Sequence, residues 1–256
     1  MLVATFNVNS IRARLPTVLA WLEEHRPDVL ALQETKVRDE DFPRAEFEKA
    51  GWQVAFRGEK TYNGVAIVSR ETPELVSYGF DGEGKDEGSR LIRADFGGVS
   101  VVNTYVPQGR APEHEMFRFK LEWLARLRRW FDRTFSPDRP LAWAGDFNVA
   151  RLPLDVFDPE GEADNVCYHP RARDALENVI AWGFEDCFRS NHPEERLYTF
   201  FDYRTPWLLK RRMGWRIDYI MAAPALARRC RGSWIDLEPR LGERPSDHTF
   251  LLAEFE

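Results

Sequence analysis

The segment Leu141–Ala150, LAWAGDFNVA, constrains the fold most. Four apolar residues (Leu141, Ala142, Trp143, Ala144) run without a break into Gly145, which reads as a short strand covered on both faces. Asp146 and Asn148 follow at its end, where a carboxylate and an amide are costly to desolvate unless something compensates. Side chains alternate along a strand, so Asp146 and Asn148 are expected on one side, with Phe147 packing on the other. A carboxylate that can accept a proton thus shares one spot with an amide that can orient a water or donate to an oxyanion. The same residues also suit an Asx-type turn that merely caps the strand.

A chain of 256 residues can bury a full core, and one domain spanning residues 1–256 is expected. Hydrophobic residues make up 43% and aromatic residues 13%, which places the chain among globular proteins. No window approaches the length of apolar sequence that a transmembrane helix needs, so no membrane association is expected. Asn7 and Asn9 interrupt the first apolar run too early for a signal peptide, and the chain opens directly on that run. Cys167, Cys187 and Cys230 are scattered and odd in number, which fits reduced thiols in a cytoplasmic protein rather than a disulfide framework or a zinc site. The net charge of −6 argues against a polyanionic partner, but its distribution matters more than its sum. Between Tyr203 and Ile217 stand Arg204, Lys210, Arg211, Arg212 and Arg216 with no acid. Between Leu152 and Pro170 stand Asp155, Asp158, Glu160, Glu162 and Asp164 with no base.

Further strands are expected over Leu2–Val8, Asp28–Gln33, Gly51–Arg57, Gly64–Ser69, Arg90–Phe96, Val99–Tyr105, Trp215–Met221 and Leu251–Phe255. Helices are expected after Ser10, which is placed to cap the first of them, then over Glu113–Arg133 and Arg171–Trp182. Pro27 is expected to break the first helix and Gly183 to end the last. The glycine- and acid-rich stretch 79–88 reads as a surface loop, and the arginines Arg126, Arg128, Arg129 and Arg133 as a solvated helix face. These runs strand polar residues at their ends: Asn7, Glu34, Tyr105, Asp146, Asn148, Asp218, Asp247 and His248. Each has a bland explanation alone, as turn former, helix start, satisfied aromatic or cap. Together they are explained best if the strand ends meet at one edge of packed sheets, where α/β folds bind ligands.

The motifs Phe6–Asn9 (FNVN), Leu32–Lys36 (LQETK), Asn103–Gly109 (NTYVPQG), Gly145–Asn148 (GDFN), Gly214–Tyr219 (GWRIDY) and Pro245–His248 (PSDH) resemble, in order, those of the exonuclease III family of AP endonucleases in the endonuclease/exonuclease/phosphatase superfamily. The resemblance covers nearly the whole chain. It implies an α/β fold of four layers, DNase I-like, with two packed mixed β-sheets flanked by helices. It also implies Mg²⁺-dependent phosphodiester hydrolysis, with Mn²⁺ able to substitute. Glu34 resembles the principal metal carboxylate, with Asn7, Asp146, Asn148 and Asp247 in or near the metal shell. Hard oxygen donors in small number suit Mg²⁺, which keeps several waters. Asp146 also resembles the group that activates the attacking water, Asn148 its partner, and Tyr105 the phenol at the scissile phosphate. An Asp218–His248 pair would fix the imidazole tautomer, raise its pKa and hold a phosphate oxygen. Whether Asp146 or His248 takes the water's proton stays open, as does the choice of leaving-group acid among Tyr105, Asp146 and a metal-bound water. Asn9 stands where some relatives carry an aspartate, which bears on a second metal site.

The implied substrate is double-stranded DNA with abasic sites or blocked 3′ ends. It would be cut 5′ to the lesion in base excision repair, with 3′→5′ exonuclease and 3′-end-cleaning activity, by a monomer. Cations interleaved with Tyr203, Trp207 and Trp215 suit contacts to phosphates and bases. Tyr198, Thr199, Phe200, Trp215 and Ile217 look like the pocket for a flipped-out abasic sugar, selecting it by size. Gln108, Arg110 and Arg204 are further DNA-binding candidates, the two arginines as side chains entering the duplex. Two alternatives share the scaffold: a phosphoinositide phosphatase or sphingomyelinase-type hydrolase, and a non-catalytic nucleic-acid-binding regulator.

Overall fold

A computed structural model describes residues 1–80, 89–205 and 207–256. The loop expected over 79–88 therefore lies, from residue 81 onward, outside the described residues. Among the described residues the strands form two six-stranded sheets. The first contains β1 (Leu2–Asn7), β2 (Val29–Gln33), β3 (Gln53–Arg57), β4 (Val65–Ser69), β11 (Cys230–Asp236) and β12 (Phe250–Phe255), ordered β11-β12-β1-β2-β4-β3. The second contains β5 (Leu75–Tyr78), β6 (Leu91–Phe96), β7 (Val99–Tyr105), β8 (Leu141–Asp146), β9 (Glu185–Asp186) and β10 (Asp218–Ala222), ordered β5-β6-β7-β8-β10-β9. Both are mixed: β1 runs parallel to β2 and β7 parallel to β8, and their other pairings are antiparallel.

Three apolar clusters show the layering. Val3, Ala31, Val101, Ala142, Ala144 and Ile220 pack between the sheets. Phe6, Leu30 and Leu32 face outward against Ile11, Val18 and Leu22 of α1 (Ile11–His25) and Phe47 of α2 (Arg44–Lys49). On the far side Leu141 and Trp143 face Phe117, Leu124, Leu127 and Phe131 of α3 (Glu115–Thr134), with Ala172, Leu176 and Val179 of α4 (Pro170–Ile180). The order is helix, sheet, sheet, helix, the four layers expected. Central strands buried on both faces account for the continuous apolar runs.

A polar network ties the two sheets inside the apolar layer. Gln33 Nε2 donates to Thr5 Oγ1 at 2.9 Å and to Asn103 Oδ1 at 2.7 Å. Asn103 Nδ2 in turn donates to the carbonyls of Leu32 and Ala66, each at 2.9 Å. Gly145 lies where β7 and β8 pass closest. Its φ is +140°, and a Cβ there would stand 2.0 Å from the Thr104 carbonyl oxygen, so only glycine fits.

Several boundaries differ from the sequence reading. Strand β10 starts at Asp218 rather than Trp215, because Trp215 forms isolated bridges to Val156 and Phe200 instead. Strands β5, β9 and β11 were not expected. The faces of β5 and β11 are half-exposed and weakly patterned, and β9 has only two residues. Ser10 precedes α1 but its side chain makes no capping bond, and its backbone φ of 89° departs from the extended geometry of an ordinary N-cap. The helix then ends at His25, where Arg26 takes a left-handed conformation ahead of Pro27. Helix α3 starts at Glu115 rather than Glu113, and His114 caps it, accepting from the Met116 N–H through its ring at 3.0 Å.

Candidate active site

Strand parity explains how the site assembles. On β1 the residues facing the opposite sheet are Val3, Thr5 and Asn7; on β8 they are Ala142, Ala144 and Asp146; on β10 they are Ala222, Ile220 and Asp218. Each row is small or apolar until its last member at one common edge. There Asn7 Nδ2 donates to Glu34 Oε1 and to Asp146 Oδ2, both at 2.8 Å, while its Oδ1 accepts from the Asn9 N–H at 3.0 Å. Two carboxylate acceptors and a backbone donor leave the amide only one orientation.

Glu34 and Asn148 reach the site by turns, not by strand alternation. Glu34 follows β2 with φ +51°, and Asn148 follows β8 with φ +50°. A non-glycine residue there is uncommon, asparagine being among the more tolerant. The Asx turn expected as the bland explanation is real: the Asn148 N–H donates to Asp146 Oδ1 at 2.8 Å. It also brings Asn148 Nδ2 to 3.2 Å from Asp146 Oδ2 and 2.9 Å from the Val106 carbonyl. Phe147 packs away between Trp143 and Tyr219, as expected.

His248 Nδ1 donates to Asp218 Oδ2 at 2.8 Å, and its Nε2 stands 3.8 Å from Asp146 Oδ2. Burial alone would pull the imidazole pKa down, but the charges of Asp218 and Asp146 outweigh it and raise it from 6.5 to about 10. Asp146 moves up to about 7, chiefly through burial and with help from the charges of Asp218 and Glu34, while His248 and Asn7 oppose the shift. Burial, then the charges of Glu34 and Asp146, likewise keep the Tyr105 phenol neutral. Asp247 Oδ1 accepts from Asn9 Nδ2 at 2.9 Å, and Lys36 Nζ sits 2.7 Å from Glu34 Oε2 and 2.5 Å from Asn9 Oδ1.

These groups open into a cleft of about 470 Å³. Glu34, Tyr105, Asp146, Asn148, Asp247 and His248 line it. Gln108, Phe200, Arg204, Trp215 and Ile217 line the same cavity. Phe200 meets His248 edge-on at 5.0 Å between ring centroids. Asn7 and Asp218 are buried behind the wall. Arg110 does not line the cleft. It is exposed on the rim, where its N–H donates to Gln108 Oε1 at 2.7 Å. Tyr198 and Thr199 are corrections to the expected pocket: Tyr198 is buried against Phe201, and Thr199 Oγ1 accepts from the N–H groups of Ile217 and Asp218.

Arg216 corrects the reading of the basic stretch. It is fully buried, pairing with Asp155 at 2.8 Å and Asp186 at 2.7 Å, and its charge does not face solvent. Asp155, from the segment read as an acidic loop, is buried too and takes Arg189 at 2.5 Å as a second partner. Sequence reasoning missed Arg90. Its guanidinium lies 4.9 Å from the Tyr105 ring centroid and donates to the Tyr105 carbonyl at 3.3 Å. A charged residue heading the apolar run of β6 was the available signal.

The donor set fits a hard divalent cation. Asp146, Asp218 and His248 offer ligand atoms within 4.8 Å of one another and could hold a metal ion. The short His248–Asp218 hydrogen bond already engages two of the three. Glu34 and Asp247 instead present carboxylates to the cleft, Glu34 beside the Lys36 ammonium and Asp247 beside the Asn9 amide.

A model of the endonuclease/exonuclease/phosphatase family matches residues 4–248. The chain belongs to this family. Exodeoxyribonuclease III of Haemophilus influenzae is 34% identical, with 98% of each chain covered. The structure of an AP endonuclease from Archaeoglobus fulgidus superposes with a TM-score of 0.98 at 48% identity, covering 100% of this chain and 99% of that one. A 3′ phosphatase from Neisseria, NExo, solved bound to a product DNA hairpin, superposes with a TM-score of 0.95 at 39% identity, covering 100% and 99%. Among the described residues no helix is long and apolar enough to cross a membrane.

The pKa directions give a test. His248 is held protonated in the fold, so its stabilising pairing is fully present below the unfolded value of 6.5 and is lost as pH rises through about 10. Asp218→Asn removes the leading upward influence, and the His248 titration followed by NMR is expected to fall toward neutral pH. An unchanged titration would show that Asp218 does not set it.

Proposed function

We propose that this exonuclease III-type phosphodiester hydrolase, acting as one domain over residues 1–256, is a Mg²⁺-dependent DNA repair nuclease. It cuts duplex DNA 5′ to abasic sites and clears blocked 3′ ends. The observation that carries this reading is the shared cleft. The carboxylates and imidazole of a phosphodiesterase share one cavity with the apolar side chains of Phe200, Trp215 and Ile217. That apolar lining suits a sugar without a base, and a normal nucleotide would collide with it.

Glu34 and Asp247 would hold Mg²⁺, or Mn²⁺ in its place, with Asn7 orienting Glu34 and with Asp146 and Asn148 at the edge of the shell. When bound, the ion supplies charge neutralisation and polarisation at the phosphate. Asp146 acts as the general base: its raised pKa suits proton transfer near neutral pH, whereas Asp218 keeps His248 protonated and unable to accept. The His248 imidazolium and the Asn148 amide hold phosphate oxygens as negative charge grows. Tyr105, neutral and backed by Arg90, donates to the phosphate. Gln108, Arg204 and the rim residue Arg110 contact the DNA, and local positive charge makes binding sensitive to salt despite the net charge of −6. We read the chain as a monomer, and three free thiols support a cytoplasmic setting.

The test is incubation with abasic and intact duplexes, with and without EDTA. Nicking 5′ to the lesion that EDTA abolishes is expected, and binding without nicking would overturn the reading. Trp215→Ala is expected to narrow the preference for abasic over intact DNA roughly tenfold or more, while slowing cleavage of the abasic strand less. Equal losses on both substrates would remove the pocket from the account.

A further inference from the structure

We propose that Lys120 is a positioning residue that acts on the reaction through Asn148. Lys120 lies on α3 in the register of Phe117, Leu124 and Leu127, the buried face of that helix, and is itself fully buried. Its Nζ donates to three backbone carbonyls: Asn148 at 2.7 Å, Val166 at 2.9 Å and Gln108 at 3.1 Å. Among the described residues no carboxylate pairs with it. An ammonium taken out of water without a counter-ion is costly, and an apolar side chain of the same length would fill the position more cheaply if packing were its purpose.

The three carbonyls identify what the charge does. They belong to three separate segments: the connection from β7 to α3, the turn after β8, and the segment ahead of α4. Gln108, Asn148 and Cys167, which follows Val166, all line the cleft. Lys120 stands behind them and does not line it. The Asn148 carbonyl is held from behind by this ammonium while its amide faces Asp146 and Val106. Asn148 has φ +50°, a conformation the chain must enforce, and Lys120, Asp146 and Val106 all hold it. One ammonium thus locks one wall of the cleft in a single arrangement, as supporting groups behind a ligand shell do elsewhere.

The proposal rests on the reading of Asn148 as a substrate-contacting residue, and the test separates the two. Turnover of an abasic duplex is measured for Lys120→Met, Asn148→Ala and the double variant, well below their melting temperatures. Leu127→Ala serves as a control for destabilisation of the same helix. Lys120→Met is expected to lower kcat about tenfold to a hundredfold with little change in KM. In the Asn148→Ala background it is expected to cost less than about twofold more. Leu127→Ala, at a comparable loss of Tm, should keep wild-type kcat. Full additivity of Lys120→Met with Asn148→Ala would overturn the proposal, as would an equal kcat loss in Leu127→Ala. Wild-type turnover in Asn148→Ala would overturn the reading of Asn148 and the proposal with it. If Lys120→Met cannot be purified folded, Lys120→Arg, which keeps the charge on a planar head, enters the same cycle. An intermediate loss of kcat that vanishes without the Asn148 side chain is then expected, and an additive loss is the contrary result.

Discussion

The side-chain amide of Asn7 holds the site together. It donates one hydrogen to Glu34, at the end of the first sheet, and the other to Asp146, at the end of the second. Like charges repel, and two carboxylates brought to one buried spot need something between them. A neutral double donor supplies it without neutralising either acid, so the negative charge remains available to a cation. Because the amide spans the sheets, its geometry depends on how they stack. The Gln33–Thr5–Asn103 network holds that stacking from within the apolar layer. Fold and site are therefore coupled by a few hydrogen-bonded polar side chains in the otherwise apolar space between the sheets.

The apolar part of the cleft lining is supported in another way. Trp215 and Ile217 line the cavity while Arg216, between them, turns into the protein to meet Asp155 and Asp186. Asp155 also takes Arg189, so these buried charges hold one another as a network rather than as a single pair. The Arg216 guanidinium also stacks 4.5 Å from the Tyr219 ring centroid, and the Tyr219 hydroxyl donates to the carbonyls of Val149 and Arg216. The pocket wall and the turn carrying Asn148 are thereby referred to one rigid centre.

Much of this was legible in the sequence. Strands buried on both faces announced themselves as apolar runs, and the polar residues at their ends were the ones that converge. Edge strands did not: Cys230–Asp236 shows its partner only half a face, so its pattern is weak. The charges were the least legible part. Arg216 and Asp155 count the same in a composition whether they face water or each other, although the alternation Trp215, Arg216, Ile217 hinted at an inward arginine. Lys120 carried a similar hint, standing three residues after Phe117 and four before Leu124 on an apolar helix face. Glu34 and Asn148 reach the site through left-handed turns that periodicity does not encode.

The central claim, that two sheets present their carboxylates to one cation at Glu34, is tested most directly by anomalous diffraction from crystals grown with Mn²⁺. The account requires one strong peak within direct coordination distance of a Glu34 carboxylate oxygen, with the His248–Asp218 hydrogen bond intact. A peak bound instead to the His248 ring between Asp146 and Asp218, with Glu34 still held by Lys36, would contradict it.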